Sequence, residues 1–467
     1  MTAPSTAALG YRTQNPATGE VLREYPHATD EQVEAALAAS AAAFADWSAR
    51  PMAERGEIVR HAGELFFERR RDLAQIATRE MGKPVREAGG EAKFCGQIFS
   101  YYAVEGPELA ADQLIKDITG QRAVIQRRPI GPLLGIMPWN YPFYQVARFA
   151  APNLMLGNTI LLKHAEICPG SALALQQLMD DAGVPAGVYQ NLFATHGQVS
   201  TIIADDRVQG VSLTGSERAG AAVAEQAGRH LKKVVLELGG SDPYIVLSAA
   251  DPRAAAREAF ATRMENAGQA CTSNKRMIVM DDVYDEFVAE LAERARALAP
   301  GDPAQPGEDT YPPLSSEAAA TALVEQIEDA VAHGATLHAG GRRVDGPGYY
   351  VEPAVLTGVT PEARAYREEL FGPAAVVYRV SSDEEAVRLA NDSPYGLGGA
   401  VFATEPGRAE RVAERLQVGM THANAPSAEG ADMPFGGVKR SGYGRELGPL
   451  GMDEFVNKRL YYVRDGH

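Results

Sequence analysis

The sequence predicts a doubly wound α/β protein made of two such units. Three observations carry this. From Leu133 onward, short continuous apolar runs alternate with stretches of helical period, as buried parallel strands and their crossover helices do. A second alternating series begins after Gly239-Gly240. A block of helices precedes the first good strand, as a helical layer covering a sheet would. At 467 residues the chain exceeds one ordinary core, so two or three domains are expected.

Residues up to about Gly10 read as disordered. Asn15-Pro-Ala-Thr-Gly19 is a turn between two short strands. Thr29 with Gln32 makes a capping box for an Ala-rich helix to about Trp47. Pro51 starts a second helix; Ile58, Leu65 and Ile76 keep helical spacing to Met81, before Gly82-Lys83-Pro84 stops it. A third helix runs from about Glu87 to Ala110. Ala123 and Ile125, ahead of Arg127-Arg128-Pro129, predict an extended edge strand. Strands are then expected at Leu133–Met137, Thr159–Lys163, Val188–Ala194, Val208–Leu213 and Lys233–Leu238. Helices are expected between them at Pro142–Leu156, Pro169–Ala182, Gln198–Ala204 and Ser216–Gly228. The second series predicts strands at Tyr244–Leu247, Arg276–Met280, Ala335–Leu337, Ala375–Tyr378, Gly399–Phe402 and Gly419–His422. Helices such as Asp282–Ala297 and Ser382–Asn391 lie between these. Pro300–Pro313, rich in Pro, Gly and Asp, is a loop, and Asn457–Val463 is a last strand.

Hydrophobic content of 45% and charged content of 23% are those of a soluble globular protein. A formal net charge of -16 speaks against a nucleic-acid or anionic-membrane partner. Three cysteines cannot frame a disulfide scaffold and point to a reducing compartment. The start, Met1-Thr-Ala-Pro-Ser-Thr-Ala7, lacks the basic and apolar regions of a signal peptide, and no apolar run reaches membrane-spanning length. A cytoplasmic location follows. Histidines are few and unpaired and no Cys-x-x-Cys occurs, so no metal site is expected.

Several short stretches carry chemistry. Cys271 sits in Asn266-Ala-Gly-Gln-Ala-Cys-Thr-Ser-Asn-Lys275, a small-residue run with no strong period. Such a backbone leaves a sulfur uncrowded and its N–H groups free to meet a substrate oxygen; a buried inert thiol is the plainer alternative. Pro138-Trp139-Asn140-Tyr141-Pro142 follows a strand, and its two prolines stiffen a sharp loop that can aim the Asn140 amide. A turn-forming Asn beside a packed Trp is the alternative there. Glu237 ends an apolar strand beside Gly239-Gly240, where desolvation raises a carboxyl's pKa and suits it to general-base work. Lys163 and Glu166 stand at the carboxyl edge of a strand, where open α/β sheets bind ligands. The G-x-G-x-x-G fingerprint is absent; instead Thr214-Gly215-Ser216 leads a strand into a helix, with Ser216 as cap and Gly215 permitting close approach. Glu369-Leu-Phe371-Gly-Pro and Pro434-Phe435-Gly-Gly offer rings that pack on flat ligands or on the core. Cys95 and Cys168 read as buried thiols.

Together and in this order, these motifs resemble the aldehyde dehydrogenase superfamily, over essentially the whole chain. Pro-Trp-Asn140-Tyr-Pro, Leu-Lys163-His-Ala-Glu166, Leu-Thr-Gly215-Ser216, Leu-Glu237-Leu-Gly-Gly, Gly268-Gln-Ala-Cys271, Glu369-Leu-Phe371-Gly-Pro and Pro-Phe435-Gly-Gly match its signatures, as does the interval from Glu237 to Cys271. The resemblance implies that Cys271 attacks an aldehyde, that Asn140 and the Cys271 N–H hold the oxyanion, and that Glu237 activates water for thioester hydrolysis. It implies that Pro138, Trp139, Lys163, Glu166, Gly215, Ser216, Gly239, Glu369 and Phe371 bind the dinucleotide. A carboxylate at Glu166 suits free ribose hydroxyls, so NAD is expected to be preferred, with NADP possible.

Within the superfamily, Leu-Lys-His-Ala, Gly-Gly-Ser241-Asp-Pro and Lys275-Arg276 look like bacterial succinate-semialdehyde dehydrogenases. Arg148, Tyr141 and Phe435 then fall at the substrate. Glu265, where another semialdehyde type carries arginine, and the segment Thr421–Glu429 depart from that group, leaving a neutral aliphatic or aromatic aldehyde as one alternative; a cysteine hydrolase using Cys271 and Glu237 without a nucleotide is the alternative from another class. The implied fold has a dinucleotide-binding domain (10–111 and 130–238), a catalytic domain (239–435) and a small β oligomerisation arm (112–129 and 445–467). Its strands pair across subunits in the family, so a homodimer or homotetramer is expected.

Overall fold

A computed structural model describes residues 10–464. The expectations for the first nine residues, and the last three residues of the expected arm, lie outside the described residues.

The helical block comes first and contains four helices, not three. Thr29 caps Asp30–Ala49, with Gln32 N–H donating to its hydroxyl at 3.2 Å and the Gln32 side chain closing the capping box. The expected second helix divides into Met52–Glu68 and Arg70–Met81, because Arg69 leaves helical geometry (φ −92°, ψ 7°). The apolar spacing runs through this joint unchanged, so periodicity alone could not reveal it. Gly82 then ends the run in the left-handed region, φ 82°. Val85–Leu109 follows.

Two sheets organise the rest. The first has six strands in the order Gly442–Tyr443, Lys233–Glu237, Gly210–Thr214, Pro132–Met137, Thr159–His164, Tyr189–Asn191, all parallel except the first. Its middle strands are buried along their length, which is why they read as continuous apolar runs. The order reverses after Pro132–Met137: the chain builds outward to Tyr189–Asn191, then returns to the other side. Such a reversal opens a crevice at the carboxyl ends of the strands.

The second sheet has seven strands in the order Thr336–Ala339, Ala354–Thr357, Ala374–Val380, Arg276–Met280, Pro243–Val246, Ala400–Phe402, His422–Ala423. It is parallel except between the first two strands. The strand Ala354–Thr357 was not expected from sequence; Pro353 immediately before it gives a loop signal that tertiary pairing overrides. The expected loop 300–313 is largely that, except for a parallel pairing of Ala299–Pro300 with Thr310–Tyr311.

A third sheet joins Gln113–Ile118, Gln121–Pro129 and Val456–Arg464, all antiparallel. Within one chain the excursion and the C-terminal strand share this sheet, which leaves its two outer edges open for the expected pairing across subunits. Val456–Arg464 pairs with Gln121–Pro129 in unbroken register from Val456↔Pro129 to Arg464↔Gln121. Leu114, Ile115, Ile118, Leu460, Tyr461 and Tyr462 stay exposed on this sheet. Among the described residues no helix is long and apolar enough to cross a membrane.

Candidate active site

Between the carboxyl edge of the six-stranded sheet and the amino edge of the seven-stranded sheet, whose strands Arg276–Met280 and Ala374–Val380 start just after Cys271 and Phe371, lies a cleft of about 290 Å³. Its walls include Pro138, Trp139, Asn140, Gly215, Ser216, Glu237, Gly239, Cys271, Glu369 and Phe371. All ten were singled out from sequence. Gln145, Thr214 and Leu238 also line it and were not. Thr214 and Leu238 sit beside named residues in the same motifs, whereas nothing in the sequence marks Gln145.

The six-stranded sheet supplies one wall from strand ends. Asn140 follows Pro132–Met137, is buried, and donates from Nδ2 to Gln269 O at 3.1 Å. Asn266 Nδ2 donates in turn to Asn140 O at 3.0 Å, so the two loops lock together. Ser216 follows Gly210–Thr214 and accepts from Ala219 N–H at 3.3 Å, capping Glu217–Arg229. Glu237 closes its strand with both carboxylate oxygens buried and without a hydrogen-bond donor. Burial raises its pKa well above the ordinary carboxylate value; Glu446 raises it further, and Arg148 and Arg445 oppose. Gly240 is required by proximity, since a Cβ there would stand 2.6 Å from Cys271 O. At Gly239 a Cβ would collide with the Glu369 carboxylate.

The seven-stranded sheet supplies the other wall from a strained turn. Pro252–Met264 ends in a 3-10 turn, Glu265–Gly268, in which Asn266 (φ 49°) and Ala267 (φ 54°) both adopt left-handed backbone. Such conformations cost on the order of 1–3 kcal/mol each and persist only where surroundings enforce them. Here Asn266 N–H donates to Glu87 Oε2 at 2.8 Å, and Gln269 Nε2 to Asn266 O at 3.0 Å. Arg263, fully buried, donates to Ala374 O (2.8 Å), Gly268 O (3.1 Å), Leu370 O (2.8 Å), Gly372 O (2.6 Å) and Ser273 Oγ (2.7 Å). Lys275 Nζ donates to Ala270 O at 2.7 Å and Cys271 O at 2.9 Å, and lies 3.1 Å from Glu369 Oε1. Cys271 is thereby presented half-buried at the cleft wall. Burial pushes its thiol up to about 12; Arg148 and Lys275 pull it down, while Glu369 and Glu237 push it up. Cys95 and Cys168 are fully buried.

The remaining expected residues lie outside this cleft. Lys163 and Glu166 form an ion pair, with His196 Nε2 3.7 Å from the same carboxylate oxygen. Glu166 keeps a lowered pKa: burial raises it, and Lys163 outweighs that. Phe435 lines a smaller cavity with Thr272, Met420 and Glu429, beyond the thiol. Arg148 is fully buried between the rings of Tyr144 (4.6 Å) and Phe435 (4.1 Å), with Nε 2.9 Å from Glu446 Oε2. Tyr141 lies under Lys83 at 3.5 Å, and after burial the charges that most raise its pKa are Glu265, Glu87 and Glu429.

The cleft suits a dinucleotide in its chemistry. A helix N-terminus capped by Ser216 favours a phosphate, Glu369 offers a ribose its free carboxylate oxygen, and Trp139 and Phe371, edge to face at 5.7 Å, wall a flat ring.

Comparison with known proteins agrees along the length of the chain. Residues 3–460 match the aldehyde dehydrogenase family. The succinate-semialdehyde dehydrogenase [NADP(+)] of Deinococcus radiodurans is 55% identical over 450 residues, covering 96% of this chain and 94% of that one. The succinate semialdehyde dehydrogenase [NAD(P)+] of Escherichia coli is 43% identical over 455 residues, 97% of each. The crystal structure of succinic semialdehyde dehydrogenase from Streptococcus pyogenes in complex with NADP+ superposes with a TM-score of 0.94 at 41% identity, covering 98% of this chain and 100% of that one. With the thiol, the carboxyl and the amide in one cleft between two doubly wound sheets, the chain belongs to the aldehyde dehydrogenase family.

Proposed function

We propose that this protein oxidises an aldehyde to its carboxylic acid with NAD or NADP, and that succinic semialdehyde is its substrate. The observation that carries the chemistry is the meeting of Cys271, Asn140 and Glu237 in one cleft. Cys271 gives its proton to cleft water, and its sulfur bonds to the carbonyl carbon as the carbon–oxygen double bond opens onto the oxygen. The carbonyl oxygen, now an oxyanion, is held by the Asn140 amide and the Cys271 N–H. Trp139 and Phe371 would hold a nicotinamide ring, which when bound would accept a hydride from the hemithioacetal carbon and leave a thioester on Cys271. Glu237 takes a proton from water, the water oxygen adds to the thioester carbon, and the carbon–sulfur bond breaks to release acid, the proton passing from Glu237 to the departing sulfur so that carboxylate and thiol are both restored. A raised pKa makes Glu237 a stronger base once ionised.

Two relatives whose names specify succinate semialdehyde support the substrate. Those names also carry NADP(+) and NAD(P)+, so the preference for NAD expected from Glu166 is withdrawn. We infer use of both cofactors: Glu166 meets free ribose hydroxyls, and Lys163 beside it offers a 2′-phosphate a cation that partly offsets the carboxylate. A specific observation favours a second reading. Arg148 is already paired with Glu446, and Lys83 over the Tyr141 ring with Glu91, while the charges acting on Tyr141 from Glu265, Glu87 and Glu429 are negative, a setting that suits an uncharged aldehyde better than an anion.

The domain division set out from sequence is proposed on the same basis, with sheet 113–129/456–464 as the oligomerisation arm and its exposed apolar residues covered in a homodimer or homotetramer. Three unbridged thiols fit a cytoplasmic setting. The test is nicotinamide reduction with succinic semialdehyde and with neutral aldehydes of equal length, under NAD and under NADP. A higher kcat/KM for the semialdehyde supports the first reading; a higher value for neutral aldehydes supports the second. No reduction with any aldehyde would sink both.

A further inference from the structure

The buried lysine behind the thiol does more than hold a loop. Lys275 is 1% exposed, and an ammonium has three protons to donate. Two go to the carbonyls of Ala270 and Cys271, at 2.7 and 2.9 Å. The third faces Glu369 Oε1 at 3.1 Å. That same oxygen accepts Gly240 N–H at 3.0 Å, while the carboxylate borders the cleft. One ammonium therefore touches both the nucleophile's own backbone and the carboxylate proposed to bind the nicotinamide ribose.

We propose that Lys275 is a positioning residue that transmits occupancy of the ribose site at Glu369 to the Cys271 thiol. The inference rests on the dinucleotide reading above. Hydroxyls donating to Glu369 disperse its negative charge and loosen its hold on the ammonium. Lys275 then bears more fully on the Cys271 carbonyl, and a thiolate is favoured. The charges around the sulfur give the sign: Lys275 and Arg148 favour the thiolate, Glu369 and Glu237 oppose it. Arg148 is fixed against Glu446, so the Lys275–Glu369 contact is the adjustable member. Asp242, the other carboxyl near Lys275, is pushed up to about 7 by burial, against the pull of Lys275, and is tied to Gly398 N–H at 3.0 Å.

The test is the pH profile of iodoacetamide alkylation at Cys271, located by mass spectrometry, with Cys95 and Cys168 buried and silent. ADP-ribose is the probe, because it carries the second ribose without the charged pyridinium; ADP is the control. Saturating ADP-ribose should lower the apparent thiol pKa by about one unit, an acceleration of about tenfold near neutral pH, and ADP should not. Lys275→Met should abolish the shift. Should that variant fail to fold, Glu369→Gln decides: without ligand it should already react at the accelerated rate, and ADP-ribose should add nothing. An unchanged wild-type profile, or a shift that survives in either variant, overturns the proposal. If ADP-ribose fails to displace NAD or NADP, the cofactor reading falls and takes this inference with it. If it displaces them and the profile does not move, this inference alone fails.

Discussion

The two walls of the cleft are built on different principles. On the six-stranded side, Asn140, Ser216 and Glu237 stand where regular strands stop, each placed by its own strand and the turn after it. On the seven-stranded side, Cys271 stands on a turn with two non-glycine residues in left-handed backbone, and side chains buried behind it hold the shape. One wall is positioned by local geometry, the other by long-range clamps. The difference teaches where each should break: removing a side chain on the first wall deletes a function, whereas removing a clamp behind the second deletes a shape.

The largest effect should come from the thiol itself. Cys271→Ser keeps the turn but replaces the sulfur nucleophile, and kcat/KM should fall about 10⁴-fold or more with cofactor binding unchanged. A smaller loss would mean that another group attacks. Next is Arg263, which does not line the cleft. Arg263→Met strands four carbonyls and a hydroxyl in the core, so unfolding free energy should drop by about 3–5 kcal/mol in denaturant titration. Stability within about 0.5 kcal/mol of wild type would show that the turn holds its strain unaided.

Glu237→Gln separates the walls kinetically. The first turnover of reduced nicotinamide should survive, while steady-state acid release falls about a hundredfold. The pH dependence has a fixed sign. Burial raises the carboxyl's pKa, so it is protonated and idle at pH values where an ordinary glutamate is charged. Steady-state rate should therefore rise with pH as Glu237 ionises, and the Gln variant should lose that limb. Equal loss of burst and steady state would move Glu237 into the acylation step.

Legibility in the sequence follows the same division. Strand-end residues announce themselves, because a continuous apolar run followed by Gly, Pro or Asn marks both the sheet and its carboxyl edge. Pro132–Met137, followed by Pro138, and Lys233–Glu237, followed closely by Gly239, were readable in this way. Clamps do not announce themselves. Arg263 closes a helix with no local pattern to distinguish it from a solvated arginine, and its five acceptors come largely from residues about a hundred positions away. The joint at Arg69 and the strand Ala354–Thr357 were hidden for a related reason: tertiary contact settles what local period leaves degenerate. Arg148 was readable as a cation near the substrate, but its partner Glu446, 298 positions later, was not.

The smallest expected effect lies at the far edge of the first wall and concerns cofactor choice. Glu166 remains a carboxylate at neutral pH because Lys163 outweighs its burial, and its side chain is 36% exposed. A 2′-phosphate placed there meets one negative charge and the positive charge of Lys163. At this exposure solvent and salt screen the repulsion to about 1 kcal/mol. Glu166→Gln removes the charge yet leaves an oxygen that accepts from a ribose hydroxyl. The ratio of kcat/KM for NADP over NAD should therefore rise about five- to tenfold, mostly through a lower KM for NADP. The gain should shrink as ionic strength rises, since the contact is partly open to solvent. A ratio that does not move would mean that Glu166 already turns away when the phosphate arrives, leaving Lys163 as the group that reads the cofactor.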